Sequence, residues 1–249
     1  MSVSSPSSAG ALTLPLVLAG PLQAWGSSSR FTRRNTENAP TKSGVLGLLA
    51  AALGRDRAAD LSDLAALRYG VRVDQPGTRV RDYQTAHHLV TGSSVPVSER
   101  FYLSDAVFLA AVEGDSELVA ELYEAVRNPV YLPYLGRRSC PPSRPLDLGE
   151  PVRSPVEGVL RDQRWQAASW YRRRWRWNKD AEIELGTLVD AGPDDSRADS
   201  LRDLPLSFDP RHRRYGLRAV RTESVSVPNP FARRAAAPAH DPLSALGGD

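Results

Sequence analysis

The stretch 105-DAVFLAAVEGDSELVAELYEAVRNP-129 sets the architecture. Its first part is a continuous apolar run and reads as a buried strand. Asp115 then stands as the N-cap of a helix over SELVAELYEAV, with Leu118, Leu122 and Val126 on the inward face, and Asn128-Pro129 stops it. Upstream, TRVRDYQTAHHLVTGSSVPVSERFYLS is polar, with few core-forming residues, and predicts a long hairpin arm with a mobile tip over about 79–103. Before the arm, YGVRVDQPG is a strand with Val71 and Val73 on one side and Arg72 and Asp74 on the other. DLSDLAALRYG is a short helix. TKSGVLGLLAAALG is a longer one, with Val45, Leu48, Leu49, Ala52 and Leu53 on its apolar face and Gly54 at its end. LTLPLVLAG is a strand whose paired part is expected to begin at Leu16, after Pro15. Between it and the long helix lies a polar loop with one tryptophan. The order strand, helix, strand, hairpin arm, strand, helix fits an α+β, ferredoxin-like (RRM-like) βαββαβ core with an inserted arm.

The organisation expected over the 249 residues is a disordered Ser-rich leader (1–10), the ferredoxin-like domain (11–140), a smaller, β-rich carboxy-terminal part packed on it (141–227), and a disordered Ala/Pro tail (228–249). Within 141–227, residues 141–160 read as a Pro-rich connection, AEIELGTLV and RRYGLRAVRTESVSV as strands, and GPDDSRADSLRD as a solvated acidic loop. Residues 161–177, RDQRWQAASWYRRRWRW, hold four of the five tryptophans and six arginines. Interleaved Arg and Trp bind nucleic acid by charge and stacking, and equally build a core or subunit contact fringed by arginine.

The formal net charge is +3, and Lys42 and Lys179 are the only lysines among 32 basic residues. The arginine bias suits phosphates and aromatic faces; a GC-rich codon supply produces the same bias. A single cysteine, Cys140, excludes an internal disulfide, and no His/Cys cluster has zinc spacing. ALTLPLVLAG is too short to span a membrane and has no basic start, so a cytoplasmic protein with no membrane partner is expected. PTKSG fails as a phosphate-binding Walker loop, because Thr41 stands where glycine is needed and Ala39-Pro40 replaces a flexible loop. No cofactor and no metal are expected.

Several stretches resemble one family in order. LAGPLQAWG, PTKSGVLGLLAAALG, LRDYQT, RFYLSDAVFLAAV, NPVYLPYLGRRSCPPSRPLDLG and DLPLSFDPRHRRYGLR are similar to segments of the CasD family, the handle-binding subunits of type I-E CRISPR Cascade complexes. The likeness spans residues 12–222, and the Trp/Arg segment and the tail have no counterpart in it. The resemblance implies a protruding β-hairpin thumb and binding of the guide RNA's five-prime handle. It implies a place beside the large subunit and the end of the backbone filament, with target DNA met indirectly through the complex. It also implies no nuclease activity, since a separate subunit cuts the precursor RNA. Related subunits of another subtype do cut RNA, so a metal-independent endoribonuclease trimming CRISPR precursor RNA is the alternative.

With RNA as ligand, the loop YLPYLGRRSCP (131–141) acquires a physical reading. Tyr134 offers a stacking platform, Gly136 a close backbone approach, and Arg137 and Arg138 two phosphate forks. Cys140 reads as a small buried hydrophobe rather than a nucleophile. Lys42, Ser43, Gly44 and Gly47 put a helix start and a small face where an RNA phosphate fits, or else the two glycines only let the helix pack tightly. Gln23 and Trp25 follow the first strand, where Trp25 stacks on a base or plugs the loop. Arg30, with Arg33 and Arg34, lies in a stretch able to track a backbone. In the arm, Arg81, Tyr83 and Arg100 are the contacts implied by the thumb. His87 and His88, neighbours on a strand, point to opposite faces, so one acid–base site can hardly use both.

Overall fold

The computed structural model describes residues 10–26, 33–178, 180–192 and 194–232. The fold is mixed α/β with antiparallel sheets. In chain order the strands are β1 (Ala11–Ala19), β2 (Leu22–Gln23), β3 (Arg33–Arg34), β4 (Arg68–Gln75), β5 (Thr78–His87), β6 (Ser94–Ser104), β7 (Val107–Asp115), β8 (Glu182–Asp190), β9 (Asp199–Ser207) and β10 (Arg214–Pro228). The helices are α1 (Lys42–Ala52), α2 (Ser62–Ala66), α3 (Ser116–Arg127), α4 (Val156–Asp162) and α5 (Ser169–Arg173).

The stretch 105–129 folds as its pattern predicts. Asp115 Oδ1 accepts the N–H groups of Glu117 and Leu118 at 2.9 and 3.3 Å, which starts α3 directly off the end of β7. β7 lies inside a six-stranded sheet of order β1-β7-β4-β8-β10-β9. Its Phe108, Ala110 and Val112 pack with α1 and α3, while Leu109 and Ala111 pack under Val156, Val159 and Leu160 of α4. Both faces are therefore covered, which is why the run carries no polar residue.

β1 pairs with β7 along its whole length, with Pro15 opposite Ala111, so the strand begins before Leu16. The reason is directional. The N–H groups of Thr13 and Val17 point away from β7 and donate to Val152 and Leu146 carbonyls at 2.9 and 2.7 Å. Pro15 lies between them on that open edge, where its missing N–H costs no ladder bond.

Three expectations for the carboxy-terminal part change. The Pro-rich connection contains α4, which caps the sheet. The acidic loop becomes strand β9 from Asp199 onward, and Asp203 in it is buried. β10 runs through Pro228, and Asn229 beyond it is buried, its N–H donating to the Ala181 carbonyl at 2.8 Å. The start of the expected tail is therefore packed, and residues 233–249, like the leader residues 1–9, lie outside the described residues.

The strand VRVD buries a charged pair. Arg72 and Asp74 share a face, as alternation requires, but that face is inside the protein and both side chains are fully buried. Arg72 Nε meets Asp74 Oδ1 at 2.6 Å, and the guanidinium also donates to the carbonyls of Leu160, Gln163 and Arg164. Trp165 Nε1 donates to the Asp74 carbonyl at 2.8 Å. The pair thus fastens the segment after α4 onto β4.

The arm is the β5–β6 hairpin. Its root carries β2 on Leu103 and Ser104, and β3 on Glu99 and Arg100. Residues 84–98 pair only with each other and are exposed or half-exposed. Replacing 84–98 with a short turn is therefore expected to leave the melting temperature of the isolated chain within a few degrees. A collapse in melting temperature would place this part of the arm in the core. Among the described residues no helix is long and apolar enough to cross a membrane.

Candidate nucleic-acid interface

The loop that follows α3 is pinned at both ends. Val130 and Tyr131 N–H groups donate to the Ala52 and Ala51 carbonyls at 2.9 and 3.3 Å, so the loop crosses the carboxy-terminal end of α1. Further on, the Leu135 carbonyl accepts the Ala24 N–H at 3.1 Å. Gly136 adopts φ +83°, and a Cβ there would lie 1.8 Å from the Ala24 carbonyl oxygen. Its close approach is thus to the protein's own backbone, which lets Arg137 and Arg138 stand at the rim. Cys140 is fully buried below, and burial pushes its thiol pKa up, in keeping with a packing role.

This loop is one bank of a groove of about 1600 Å³. Its lining also includes Gly44 and Gly47 of α1, Arg55 and Arg57, and Arg202, Leu206, Phe208, Arg213, Arg214 and Tyr215 of the β9–β10 hairpin. Arg34, Arg137 and Arg138 complete eight arginines facing one carboxylate, Asp56. Among the described residues only Arg55 of the eight has a carboxylate partner, Asp63 at 2.7 Å. Arginines held together without counter-charges make a strongly positive channel.

Arg137 shows how the cations are aimed. Its guanidinium lies 4.6 Å from the Tyr102 ring centre, and Nη2 donates to the Arg34 carbonyl at 2.9 Å. Nη1 is enclosed and has no acceptor among the described residues. A buried donor without a partner is costly, and a phosphate oxygen removes that cost.

Gln23, Trp25, Lys42, Ser43 and Gly44 each have a partner within the protein, although Trp25, Ser43 and Gly44 also belong to the groove lining. Gln23 is fully buried, its amide donating to the Leu18 and Ala106 carbonyls while its oxygen accepts Trp25 Nε1–H at 3.0 Å. Trp25 is equally buried, so the indole is a plug, not a base platform. Gly44 makes room for that plug: a Cβ there would lie 2.8 Å from the Trp25 ring. Ser43 is buried, with its hydroxyl 3.4 Å from that of Thr41. The amino terminus of α1 already holds an anion, because the Lys42 N–H donates to Asp203 Oδ2 at 2.8 Å. Lys42 Nζ lies 2.8 Å from Asp190, and Arg218 joins both carboxylates, at 2.5 Å from Asp190 and 2.6 Å from Asp203. Two cations and two carboxylates close a buried, neutral knot, so Lys42 is not free to hold a phosphate. Gly47 does face the groove, where a Cβ would only touch Phe208 at 3.4 Å.

The arm residues sit apart from the groove but connect to it. Arg81 lies over the Tyr83 ring at 5.0 Å and 3.8 Å from Glu99, and Tyr83 is 55% exposed. Arg100 has an enclosed, unpartnered Nε. Arg34 is the link: its backbone pairs beside Arg100, its carbonyl accepts from Arg137, and it lines the groove. Arg30 lies outside the described residues. Tyr134, Gly136, Arg137 and Arg138 do converge in the groove. Sequence reasoning missed Arg55, Arg57, Arg202, Arg213, Arg214 and Tyr215. The run RHRRY was the available signal, but nothing in it says that it faces a loop some eighty residues earlier in the chain.

The chain is similar to a set of CRISPR proteins. A family model described as CRISPR-associated protein (Cas_Cas5) matches residues 13–221. The CRISPR system Cascade subunit CasD of Escherichia coli (strain K12) is 40% identical over 157 residues, 55% of this chain and 70% of that protein. A solved structure described as a Cas protein is 38% identical, covering 90% of this chain and 98% of its own, with a TM-score of 0.66. A chain of a CRISPR RNA-guided surveillance complex is 30% identical, covering 94% and 97%, with a TM-score of 0.70.

Proposed function

We propose, from the premise that this chain belongs to the CRISPR-associated Cas5 family, that it is a non-catalytic, CasD-type subunit of a type I-E Cascade complex. In this reading the arginine groove holds the five-prime handle of the guide RNA, and the β5–β6 hairpin serves as a thumb across the guide. The carrying observation is the groove itself, with eight arginines, one carboxylate, and the enclosed unpartnered Nη1 of Arg137. Tyr134 and Tyr215 add aromatic faces along it, so phosphate and base contacts are both served. Around the subunit we place the large subunit and the end of the backbone filament, with target DNA reached through the complex and the cytoplasm as its compartment.

The same reading takes the core as ferredoxin-like. β1, α1, β4, β7 and α3 follow the βαββα order, and β1-β7-β4 are adjacent as that unit requires. The place beside β1 is held by two isolated bridges, Thr13–Val152 and Leu16–Asp147, while β8 extends the sheet from β4.

Cleavage without a metal needs a base for the 2′-OH and an acid for the leaving oxygen near one phosphate. The groove offers arginines, which stay protonated, and Lys42 is locked to Asp190. His87 and His88 sit at the exposed arm turn, their Nδ1 atoms engaged locally by the Gly92 carbonyl and the Thr91 N–H at 3.2 and 3.3 Å. The purified chain is expected to bind labelled handle RNA more tightly than a scrambled strand, and to leave repeat RNA uncut with or without magnesium. Equal affinity for both strands would remove handle recognition. Cleavage abolished by His87→Ala or His88→Ala would make the protein an endoribonuclease.

A further inference from the structure

The groove lies on the α1 side of the six-stranded sheet. The opposite side carries α4 and the Trp/Arg segment, and there a second cleft of about 390 Å³ opens. No residue lines both. The cleft runs from the end of β1 and the root of the arm, at Asp105, to Ser143, Arg144 and the start of α5, at Trp170 and Arg172.

The segment divides its tryptophans between two tasks. Trp165 is buried against Ile183, Leu185 and Val227, with Tyr171 and Trp175 edge-on to it at 6.1 and 6.0 Å. The backbone entering α5 is clamped as well, since Gln166 N–H donates to Asp74 at 2.5 Å and Ala168 N–H to Gln75 at 3.1 Å. That anchor turns Trp170 outward, 46% exposed, steadied edge-on by Tyr171 at 5.8 Å. A half-exposed indole in the lining of a cleft is a ready stacking surface.

Around it the charge is unbalanced. Arg172 lines the cleft, and its Nε is enclosed with no acceptor among the described residues. Arg144 donates to the Gln166 carbonyl at 3.0 Å. Its pKa is held below the usual guanidinium value, first by burial and then by the nearby charges of Arg164 and Arg172, against the opposing pull of Asp74. Asp105, whose carboxylate accepts from Ser104 Oγ at 3.3 Å, is the single acid of the lining. Arg173, Arg174 and Arg176 continue the cationic surface along the chain, Arg176 lying 4.6 Å from the centre of the exposed Trp177 ring.

We propose that this cleft is a second subsite for single-stranded nucleic acid, in which Trp170 stacks on a base while Arg172 and Arg144 hold the adjoining phosphate. A polypeptide partner fits less well. The lining brings an exposed indole and two arginines into one cleft, and a nucleotide supplies a flat base and a compact anion as one unit. The site stands on residues other than those of the groove, so the two readings succeed or fail separately.

The test uses the full chain, with and without Arg137→Ala/Arg138→Ala, and two probes, a twelve-nucleotide oligouridylate and the matching oligothymidylate. In both backgrounds, Trp170→Ala with Arg172→Gln is expected to lower affinity for at least one probe about fivefold or more. The salt slope should fall by about 0.7, since one phosphate is no longer neutralised. Trp170→Phe, which keeps a stacking face, should retain most of the affinity. A 5-iodouridine probe should crosslink to the peptide containing Trp170, and the preferred probe tells RNA from DNA as the occupant. Unchanged affinity and slope for both probes in a folded Trp170/Arg172 variant would overturn the subsite. So would crosslinks confined to groove and arm peptides, or substitutions that weaken polyglutamate binding but not oligonucleotide binding. Should the Arg172 change unfold the chain, Trp170→Ala alone and the crosslink position still decide.

Discussion

Alanine at both Arg137 and Arg138 is expected to weaken handle RNA binding roughly a hundredfold or more. Each charge-assisted hydrogen bond to a phosphate contributes about 1.5–3 kcal/mol, and the double variant removes one such donor group at each of two positions in the groove lining. The salt dependence should flatten with them, by about 0.7 in slope for each phosphate that is no longer neutralised. Folding should be little affected, because Arg138 is exposed and Arg137 loses one cation–π pair with Tyr102 and one hydrogen bond to the Arg34 carbonyl, each of the order of 1 kcal/mol. Fluorescence anisotropy over a salt series, with a melting curve of each variant, measures all three quantities. Wild-type affinity and slope in a folded double variant would remove the two arginines from the RNA path.

The largest stability effect is expected at Arg72→Ala. Arg72 and Asp74 are both fully buried, and the change leaves a carboxylate inside the protein with its cation gone. It also frees the carbonyls of Leu160, Gln163 and Arg164. Breaking a buried pair from one side costs about 3–5 kcal/mol. At about 2–4 °C per kcal/mol for a chain of this size, the melting temperature should fall by roughly 6–20 °C. Calorimetry of the purified chain checks this, and a fall of a degree or less would mean that the segment after α4 is held by its apolar packing alone. Because that segment also positions Trp170, hydrogen exchange in the variant should rise first over residues 160–177.

Much of this protein is written locally. The apolar run of β7, the Asp115 cap, the glycine stop at Gly54 and the polar hairpin all depend on residues within a few positions of one another. Periodicity and capping report such neighbours directly. The loop at 131–141 was legible for the same reason, since two prolines, a glycine and paired arginines dictate a rigid basic turn wherever it lands. Composition and local pattern are blind to partners far along the chain. Lys42 meets Asp203 and Asp190 across 161 and 148 residues, so a helix start that looks fit for a phosphate is already occupied. Asp203 reads as one more acid in a solvated loop until β9 forms and Arg218 reaches it. Arg72 and Asp74 alternate like a surface strand, yet α4 and Trp165 close over them. Gly44 is silent about whether RNA or Trp25 fills the space above it. The elements from β1 to α3, apart from the two-residue strands β2 and β3, and the basic loop could be read from the amino acids because they rest on short-range sterics and hydrogen bonding, whereas α4 and β9 could not. Which charges face water emerged with the folded chain, because a charge's fate depends on whatever distant segment packs against it and whether that segment brings a counter-charge.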